Sequence, residues 1–324
     1  MNTLGTIFRV SIFGESHGNA IGVCIDGCPA GIALTANDFE ADIQRRKSGA
    51  KGTTARHEAD TPMLLSGVCN QKTTGAPLTI VFNNDNTRSG DYAQLAQHPR
   101  PSHSDFVATQ KFGGNADVRG GGHFSGRLTL PLVAAGVVAQ KIIPQVHIAA
   151  QLIEVGGQKY GEHNDVLAAA IAKGDSLGGV VECRVQDAPI GWGSPFFNSL
   201  ESLISHAVFA IPGVRGIEFG TGFAAAKMQG STHNDLIIDE LGHTQTNHAG
   251  GIVGGIANGN EIVFRVAFKP TASISLPQPT YNFAAQQVET LRIKGRHDAC
   301  FALRTPVVVE AAAAIVLADL SLGS

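Results

Sequence analysis

Residues 7–27, IFRVSIFGESHGNAIGVCIDG, predict two strands joined by a tight turn. Apolar and polar residues alternate over 7–13, which is typical of a half-buried strand. Residues 19–27 also favour a strand, because they carry two glycines and neither a helix cap nor a helical apolar stripe. The turn GESHG fits the G-x-S-x-G pattern of a serine-hydrolase nucleophile elbow, but an elbow leads from a strand into a helix. The flanks therefore disfavour Ser16 as a nucleophile and direct attention to His17.

The rest of the chain continues this mixture of strands and helices. The pattern predicts strands at 7–13, 19–26, 77–83, 146–154, 179–187 and 260–268. It predicts helices over 36–49, over 125–143 with Ser125 as N-cap and Pro131 in the early part, and over 304–320. Because helices and strands do not alternate regularly, we expect an α+β fold rather than a doubly wound sheet. No linker interrupts residues 1–324, so we expect a single domain.

Composition narrows the class of ligand and the compartment. The net charge of −3 and the pI near 6.4 argue against a nucleic-acid partner and favour a small anionic ligand. Five cysteines, with no basic segment and apolar run at the start, indicate a reducing, cytoplasmic protein. The longest apolar runs, 128–140 and 307–320, are too short or carry acids, so we expect no membrane partner.

Glycine is frequent, with 39 residues and clusters such as RGGGH (119–123), HAGGIVGGIANGN (248–260) and SGAKG (48–52). Such clusters beside Arg or Lys are compatible with phosphate cradles, because bare backbone N–H groups can approach a ligand closely. They are also typical of turns in a strand-rich fold, and each cluster taken singly favours that interpretation.

Basic side chains recur on glycine-rich or proline-bounded turns. Arginine forms bidentate bonds with phosphate and carboxylate, and histidine transfers protons near neutral pH. A group of such residues indicates a site for several anionic groups. The Lys269–Ser273 segment, KPTAS, supplies a lysine and two hydroxyls after a predicted strand, as a phosphate site requires. His243 and His248 lack supporting cysteines or carboxylates, so we predict no metal site.

Eight motifs together resemble the ordered signatures of the chorismate synthase family, from about residue 5 to about residue 319. They are FGESHG (13–18), RRKSGAKGTTARHE (45–58), TTGAP (73–77), RPSHSD (100–105), RGGGHFSGR (119–127), TNHAGGIVGGIANG (246–259), FKPTASIS (268–275) and GRHDACFALR (295–304). The resemblance implies anti-1,4-elimination of phosphate from 5-enolpyruvylshikimate 3-phosphate, giving chorismate for aromatic amino acid synthesis. It also implies reduced FMN as cofactor without net redox change, a β-α-β sandwich of antiparallel sheets flanking a helical layer, and a homotetramer.

The resemblance also implies roles for individual residues. His17 corresponds to the histidine beside the leaving phosphate, His103 to the one that protonates the reduced flavin, and Asp298 to the carboxylate that helps remove the ring proton. The implied substrate-binding residues are Arg46, Lys51, Arg100, Arg127 and Arg296. The implied flavin-binding residues are His123, Phe124, Ser125, Pro212, Gly213, Gly254, Lys269, Pro270, Thr271, Ala272, Ser273 and Arg296.

The chain departs from the family pattern at several of these positions. His123, Phe124 and Leu128 replace an arginine, a small residue and a glutamate. Lys51 keeps the charge of an arginine but loses its bidentate fork, and Pro212 stands for an asparagine. A flavin-binding protein without catalysis is therefore a second hypothesis. The reduced flavin comes either from an NADPH-dependent activity of the chain itself or from outside, and the shortness of the chain favours an outside source.

Overall fold

The computed structural model describes residues 2–54, 58–85, 95–293 and 297–323, and two antiparallel sheets form its outer layers. The strands are β1 Thr3–Leu4, β2 Arg9–Gly14, β3 Ala20–Asp26, β4 Met63–Ser66, β5 Val68–Cys69, β6 Lys72–Thr73, β7 Leu78–Asn83, β8 His147–Val155, β9 Gln158–Lys159, β10 Gly179–Gln186, β11 Val214–Phe219, β12 Ile252–Val253, β13 Ile256–Ala257, β14 Ile262–Phe268, β15 Gln278–Asn282 and β16 Gln287–Leu291. The helices are α1 Glu40–Arg46, α2 Asp105–Lys111, α3 Thr129–Ile142, α4 Asn164–Lys173, α5 Leu200–Phe209, α6 Gly230–His233 and α7 Pro306–Gly323.

The first sheet has the strand order β1-β2-β3-β7-β4, and the second has the order β11-β14-β10-β8-β9. In the first sheet, β2 and β3 pair from Arg9 opposite Asp26 to Gly14 opposite Ile21. This register confirms the predicted hairpin. In the second sheet, β10 lies between β8 and β14 and pairs antiparallel with both.

Helices α3 and α7 form a layer between the two sheets. Helix α3 packs on β3 and β7, α7 packs on β8 and β10, and the two helices pack on each other. Every residue from Leu130 to Ala139 is buried, because α3 faces a sheet on one side and α7 on the other. The structure thus has the predicted β-α-β sandwich. Helix α7 is long and apolar enough to cross a membrane by length and composition, but most of it is buried in this core.

The predicted elements are present, with shifted helix ends. All six predicted strands exist to within about two residues at each end. The first predicted helix consists of a 3-10 turn, Ala36–Phe39, followed by α1. The second also begins as a 3-10 turn, and the Ser125 hydroxyl caps it by accepting from the Arg127 backbone N–H at 3.3 Å. Helix α7 begins at Pro306, since proline fits a first helical turn where no backbone N–H bond is needed.

Candidate active site

A cavity of about 880 Å³ is lined by residues of both sheets and of the loops between elements. Its walls include residues 100, 102–104, 123–129, 209–215 and 269–273. Basic side chains outnumber carboxylates among the described lining residues. The basic residues are Arg46, Lys47, Arg100, Arg127, Arg215, Lys269 and Arg304, and the acidic ones are Glu58, Asp60 and Asp298. The cavity therefore favours anionic ligands.

The GESHG turn runs from β2 directly into β3, so it is not a nucleophile elbow. Ser16 is fully buried rather than displayed, and the serine-hydrolase interpretation is wrong for this reason as well. The Asn84 side chain fixes the turn by donating to the carbonyl oxygens of Glu15, at 3.0 Å, and Gly18, at 2.8 Å. The turn is a rigid end of the first sheet.

The RGGG segment packs directly against this turn. Gly120, Gly121 and Gly122 all have positive φ, a conformation that side chains other than glycine rarely adopt. A Cβ atom on Gly120 would lie 2.6 Å from His17 Nε2, so only glycine permits this approach. Gly120 lines the cavity, and the buried His17 imidazole lies behind it. His17 therefore packs against a glycine that lines the cavity, although His17 does not line the cavity itself.

Asp60 lies between two buried guanidinium groups. Arg127 Nη1 donates to Asp60 Oδ1 at 2.8 Å, and Arg46 Nη1 lies 3.6 Å from Asp60 Oδ2. Burial, together with the nearby charge of Arg304, lowers the pKa of Arg46 to about 9. Arg46 still carries its charge at neutral pH. Two cations therefore share one carboxylate, and the group of three side chains keeps a net positive charge.

Arg127 also connects the cavity to the hairpin. Its Nε donates to Asn84 Oδ1 at 2.6 Å, and its Nη2 donates to the Asn83 carbonyl at 3.2 Å. Asn84 in turn holds the GESHG turn, so one amide side chain fixes both the guanidinium and the turn that carries His17. Movement of either would disturb the other.

Arg100 and Asp105 form a buried bidentate ion pair. Arg100 Nε and Nη2 each donate to an Asp105 oxygen at 2.7 Å, and Nη1 donates to Ser273 Oγ at 2.9 Å. Burial by itself would raise the pKa of Asp105, but hydrogen bonds from Arg100 and His103 outweigh it and hold that pKa well below its usual range. Asp105 is therefore ionised, and Arg100 ties the RPSHSD turn to the KPTAS segment.

His103 lies beside this pair and lines the cavity. Its Nδ1 is 2.7 Å from Asp105 Oδ1. Burial lowers the pKa of His103, the hydrogen bond to Asp105 opposes that effect, and the charges of Arg100 and Lys269 add to the lowering. The imidazole is thus neutral at pH 7 in the ligand-free protein.

The Lys269–Ser273 segment forms another wall of the cavity. Lys269 Nζ donates to the Ser102 carbonyl at 2.6 Å, and burial and the charge of Arg215 lower the pKa of Lys269. The Thr271 hydroxyl is buried and has no hydrogen-bond partner among the described residues. A buried hydroxyl without a partner is costly unless a ligand bonds to it. The lysine, the threonine and Arg215 thus suit an anionic group.

Asp298 joins two distant segments at the cavity wall. Its Oδ1 accepts from the Thr54 backbone N–H at 2.8 Å, and its Oδ2 accepts from Arg304 Nη2 at 2.7 Å. The Ala299 N–H also donates to the Gly52 carbonyl at 2.8 Å. These bonds fix the carboxylate at the wall of the cavity, where it can receive a proton.

A protein-family model described as chorismate synthase matches residues 8–322. The chain belongs to the chorismate synthase family. A chorismate synthase from Chitinophaga pinensis is 61% identical over 99% of this chain and 97% of its own length. One from Dehalococcoides mccartyi is 44% identical over 99% of this chain and 96% of its own. A solved structure titled as the crystal structure of chorismate synthase matches with a TM-score of 0.75 and 25% identity, covering 98% of this chain and 93% of that one.

Membership of the chorismate synthase family gives the reaction class and the pathway. The chain is a lyase that eliminates phosphate, and it acts in aromatic amino acid biosynthesis through the shikimate pathway. The solved chorismate synthase structure also agrees with the α+β architecture. The basic cavity is the natural candidate for the active site of such an enzyme.

The chorismate synthase cavity gathers most of the residues that the motifs single out. The predicted site residues that line it are Arg46, Arg100, His103, His123, Phe124, Ser125, Arg127, Pro212, Gly213, Lys269, Pro270, Thr271, Ala272, Ser273 and Asp298. His17, Lys51 and Gly254 do not line it. His17 is shielded by Gly120, Lys51 is on an exposed turn, and Gly254 is at the β12–β13 hairpin. Arg296 lies outside the described residues.

Motif matching did not predict several polar residues of this site. Asp60, Asn84, Asp105, Arg215 and Arg304 contribute charges or fix other site residues. Asp105 stands within RPSHSD, two residues after His103, where a short-range ion pair can be suspected from spacing. Asn84 and Asp60 have no such local signal. The described residues include no group of three or more His, Cys, Asp or Glu side chains arranged for a metal ion.

Proposed function

We propose that this chain converts 5-enolpyruvylshikimate 3-phosphate to chorismate in the basic cavity, with reduced FMN bound beside the substrate. The excess of fixed cations in the cavity is the observation that carries the proposal. The substrate has one phosphate and two carboxylates, and FMN adds another phosphate. A volume of about 880 Å³ lies within the usual range of ligand pockets. We propose further that the enzyme is a single-domain cytoplasmic homotetramer without nucleic-acid or membrane partners.

The cavity wall around KPTAS fits the phosphate of FMN. Lys269 and Arg215 supply charge, and the unsatisfied hydroxyl of Thr271 supplies a donor. Pro212 and Gly213 lie against the same wall, where the Lys269 N–H donates to the Gly213 carbonyl at 2.9 Å. Reduced FMN, when bound, would supply an electron transiently to the elimination and recover it, without net redox change.

Three other arginines that line the cavity suit the substrate. Arg46, Arg127 and Arg304 present guanidinium groups that would bind the substrate's phosphate and carboxylates. Cations fixed near a leaving phosphate stabilise the charge that develops as it departs. His17 would add a proton or a charge through its Nε2 from behind Gly120. The family pattern also assigns substrate contacts to Arg100, which lines the cavity, to Lys51, which does not line it, and to Arg296, which lies outside the described residues.

Two further groups would handle protons. Asp298 accepts hydrogen bonds from Thr54 and Arg304, and one of its oxygens would accept the ring proton. His103 would exchange a proton at Nε2 with the bound flavin. Both side chains line the cavity and contact neighbouring protein groups that hold them in place.

Anaerobic incubation with the enolpyruvyl phosphate substrate and chemically reduced FMN tests the reaction. We expect phosphate and chorismate in equal amounts, with no net consumption of reduced flavin. Absence of both products would refute the proposal. Binding of FMN without any product would instead support the second hypothesis, a flavin-binding protein altered at His123 and Phe124.

The assignment of the flavin phosphate has its own test. Lys269→Met should weaken binding of FMN by about tenfold or more, because it removes a fixed cation from the phosphate site. Binding is measured by quenching of FMN fluorescence. Lys227→Met, at an exposed position outside the cavity, is the matched control and should leave the affinity unchanged. Equal affinity of both variants would show that the phosphate binds elsewhere.

A further inference from the structure

The Nδ1 atom of His103 has two neighbours that require opposite protonation states. Asp105 Oδ1 lies at 2.7 Å and Arg100 Nη2 at 3.2 Å. A carboxylate oxygen only accepts, so it requires a proton on Nδ1, whereas a guanidinium only donates and requires a lone pair there. Ser104 Oγ, at 3.5 Å, is too distant to decide between them.

The distances and the charges favour the carboxylate. The contact to Asp105 has the length of a charge-assisted hydrogen bond, and the contact to Arg100 is at the long limit. Arg100 Nη2 also has a shorter bond, to the same Asp105 oxygen at 2.7 Å. A lone pair on Nδ1 would face an ionised oxygen at 2.7 Å, which is repulsive. These contacts favour a proton on Nδ1.

We infer that Asp105 is a positioning residue that fixes His103 as the Nδ1–H tautomer and so leaves the Nε2 lone pair as a proton acceptor. Its catalytic meaning rests on the proposed function, in which His103 exchanges a proton. Nε2 lies on the side of the glycine run, 3.5 Å from the place that a Cβ atom on Gly121 would occupy. His103 must therefore take up a proton at Nε2 before it can donate one.

Arg100 has a corresponding positioning role. Three of its nitrogen atoms bond to Asp105 and Ser273. Arg100 thereby keeps Asp105 ionised and oriented, and it holds the histidine turn against the KPTAS segment. The charged groups acting on the imidazole are Asp105 and Arg100 from its own turn and Lys269 from the segment after β14. Asp105 favours the imidazolium, and the two cations disfavour it.

Long-range proton–nitrogen NMR of the full chain labelled at histidine nitrogens measures the tautomer directly. The protein is studied without flavin or substrate, and the His103 signals are those that disappear in His103→Gln. Above the midpoint of its titration, we expect protonated Nδ1 and unprotonated Nε2. A wild-type spectrum with the proton on Nε2 overturns the inference. This test needs no variant of Asp105.

Asp105→Asn supplies the second measurement. Its amide can donate to Nδ1, so we expect the Nε2–H tautomer to gain population, and loss of the negative charge should lower the titration midpoint of His103. Ser104→Ala is the matched control and should change neither. If Asp105→Asn folds and retains the wild-type tautomer and midpoint, Asp105 does not position His103; if it does not fold, the wild-type spectrum decides.

The proposed function and the positioning role of Asp105 can be refuted independently of each other. The NMR readout does not involve turnover, so a catalytically inactive chain with the Nδ1–H tautomer would refute the proposed function and leave this inference intact. An active enzyme with the Nε2–H tautomer would do the reverse.

Discussion

At the residue scale, the cavity is built from buried charges that hold one another. Asp60 is shared by Arg46 and Arg127, and Asp105 is shared by Arg100 and His103. Burying a charge is costly unless it is paired, so each of these residues depends on its partner. Arg46 and Arg127 share the single carboxylate of Asp60, so this group keeps a net positive charge that an anionic ligand can neutralise.

His17→Ala and His103→Ala should each lower the rate of elimination by about 10²–10⁴, because each removes a group that transfers or positions a proton. The measurement is chorismate formation with chemically reduced FMN. His147→Ala, on an exposed strand end, is the control and should retain wild-type activity. A loss below about tenfold in both variants would show that the roles are wrongly assigned.

The lowered pKa of His103 makes stability depend on pH. The unfolded chain binds this proton at about pH 6.5, whereas the folded chain binds it only at lower pH. Between the two values the unfolded state holds more protons, so the free energy of unfolding falls as pH falls. Urea denaturation at pH 7 and at pH 5 should show a smaller loss for His103→Gln than for wild type. The same loss in both would contradict a lowered folded-state pKa.

At the element scale, periodicity predicted what local pattern can encode. The six predicted strands and the three predicted helices are present, because burial on one face or on both leaves a pattern of apolar residues in the sequence. The pattern does not predict helices α2, α4, α5 and α6, nor strand β11 and the strands of two to five residues, most of which are too brief to distinguish from loops. The motifs gave most cavity residues, but the bond from Thr54 to Asp298 spans 244 residues and leaves no local signal.

The contact between α3 and α7 gives a prediction whose sign depends on packing. Alanine in place of a helical glycine normally stabilises a helix by about 1 kcal/mol. A Cβ atom on Gly136 would lie 2.6 Å from Ala311 Cα, which forces the two helices apart. Gly136→Ala should therefore lower the free energy of unfolding by about 1–3 kcal/mol.

Chemical denaturation measures this effect. Gly230→Ala, in α6, is the control because nothing lies within 4 Å of its Cβ position. It should change stability by no more than about 1 kcal/mol. A stabilised Gly136→Ala protein would mean that the helices can separate slightly without cost.

At the scale of the whole molecule, adjoining surface segments carry apolar side chains that the monomer leaves uncovered. Gly255 adjoins Ser199, the Thr221 N–H donates to the His248 carbonyl, and the His248 N–H donates to Asp235. The exposed side chains on these segments are Phe196, Phe197, Phe223, Leu236, Ile237, Ile238, Leu241 and Val253. Phe196 and Phe197 are 85% and 93% exposed, which is unusual for a protein that stays monomeric.

The proposed homotetramer would bury the apolar side chains on these surface segments. Replacing both Phe196 and Phe197 by Ser should yield a smaller species in sedimentation velocity, because the change removes apolar area from the contact. Leu65→Ser is the control. Leu65 lies in β4 of the first sheet and is 65% exposed, so this change should leave assembly unchanged. A wild-type chain that sediments as a monomer would refute the proposed assembly.

The position of α7 in the chain has a consequence for folding during synthesis. This helix fills the space between the sheets, and its Asp319 accepts backbone N–H bonds from Thr6, Ile7 and Phe8. It leaves the ribosome after every element that it covers. Until then the apolar faces of α3 and of the second sheet lack the cover of α7, and exposed apolar surface favours aggregation of the nascent chain. The core closes only when α7 packs on α3 and Asp319 bonds to the backbone just ahead of β2.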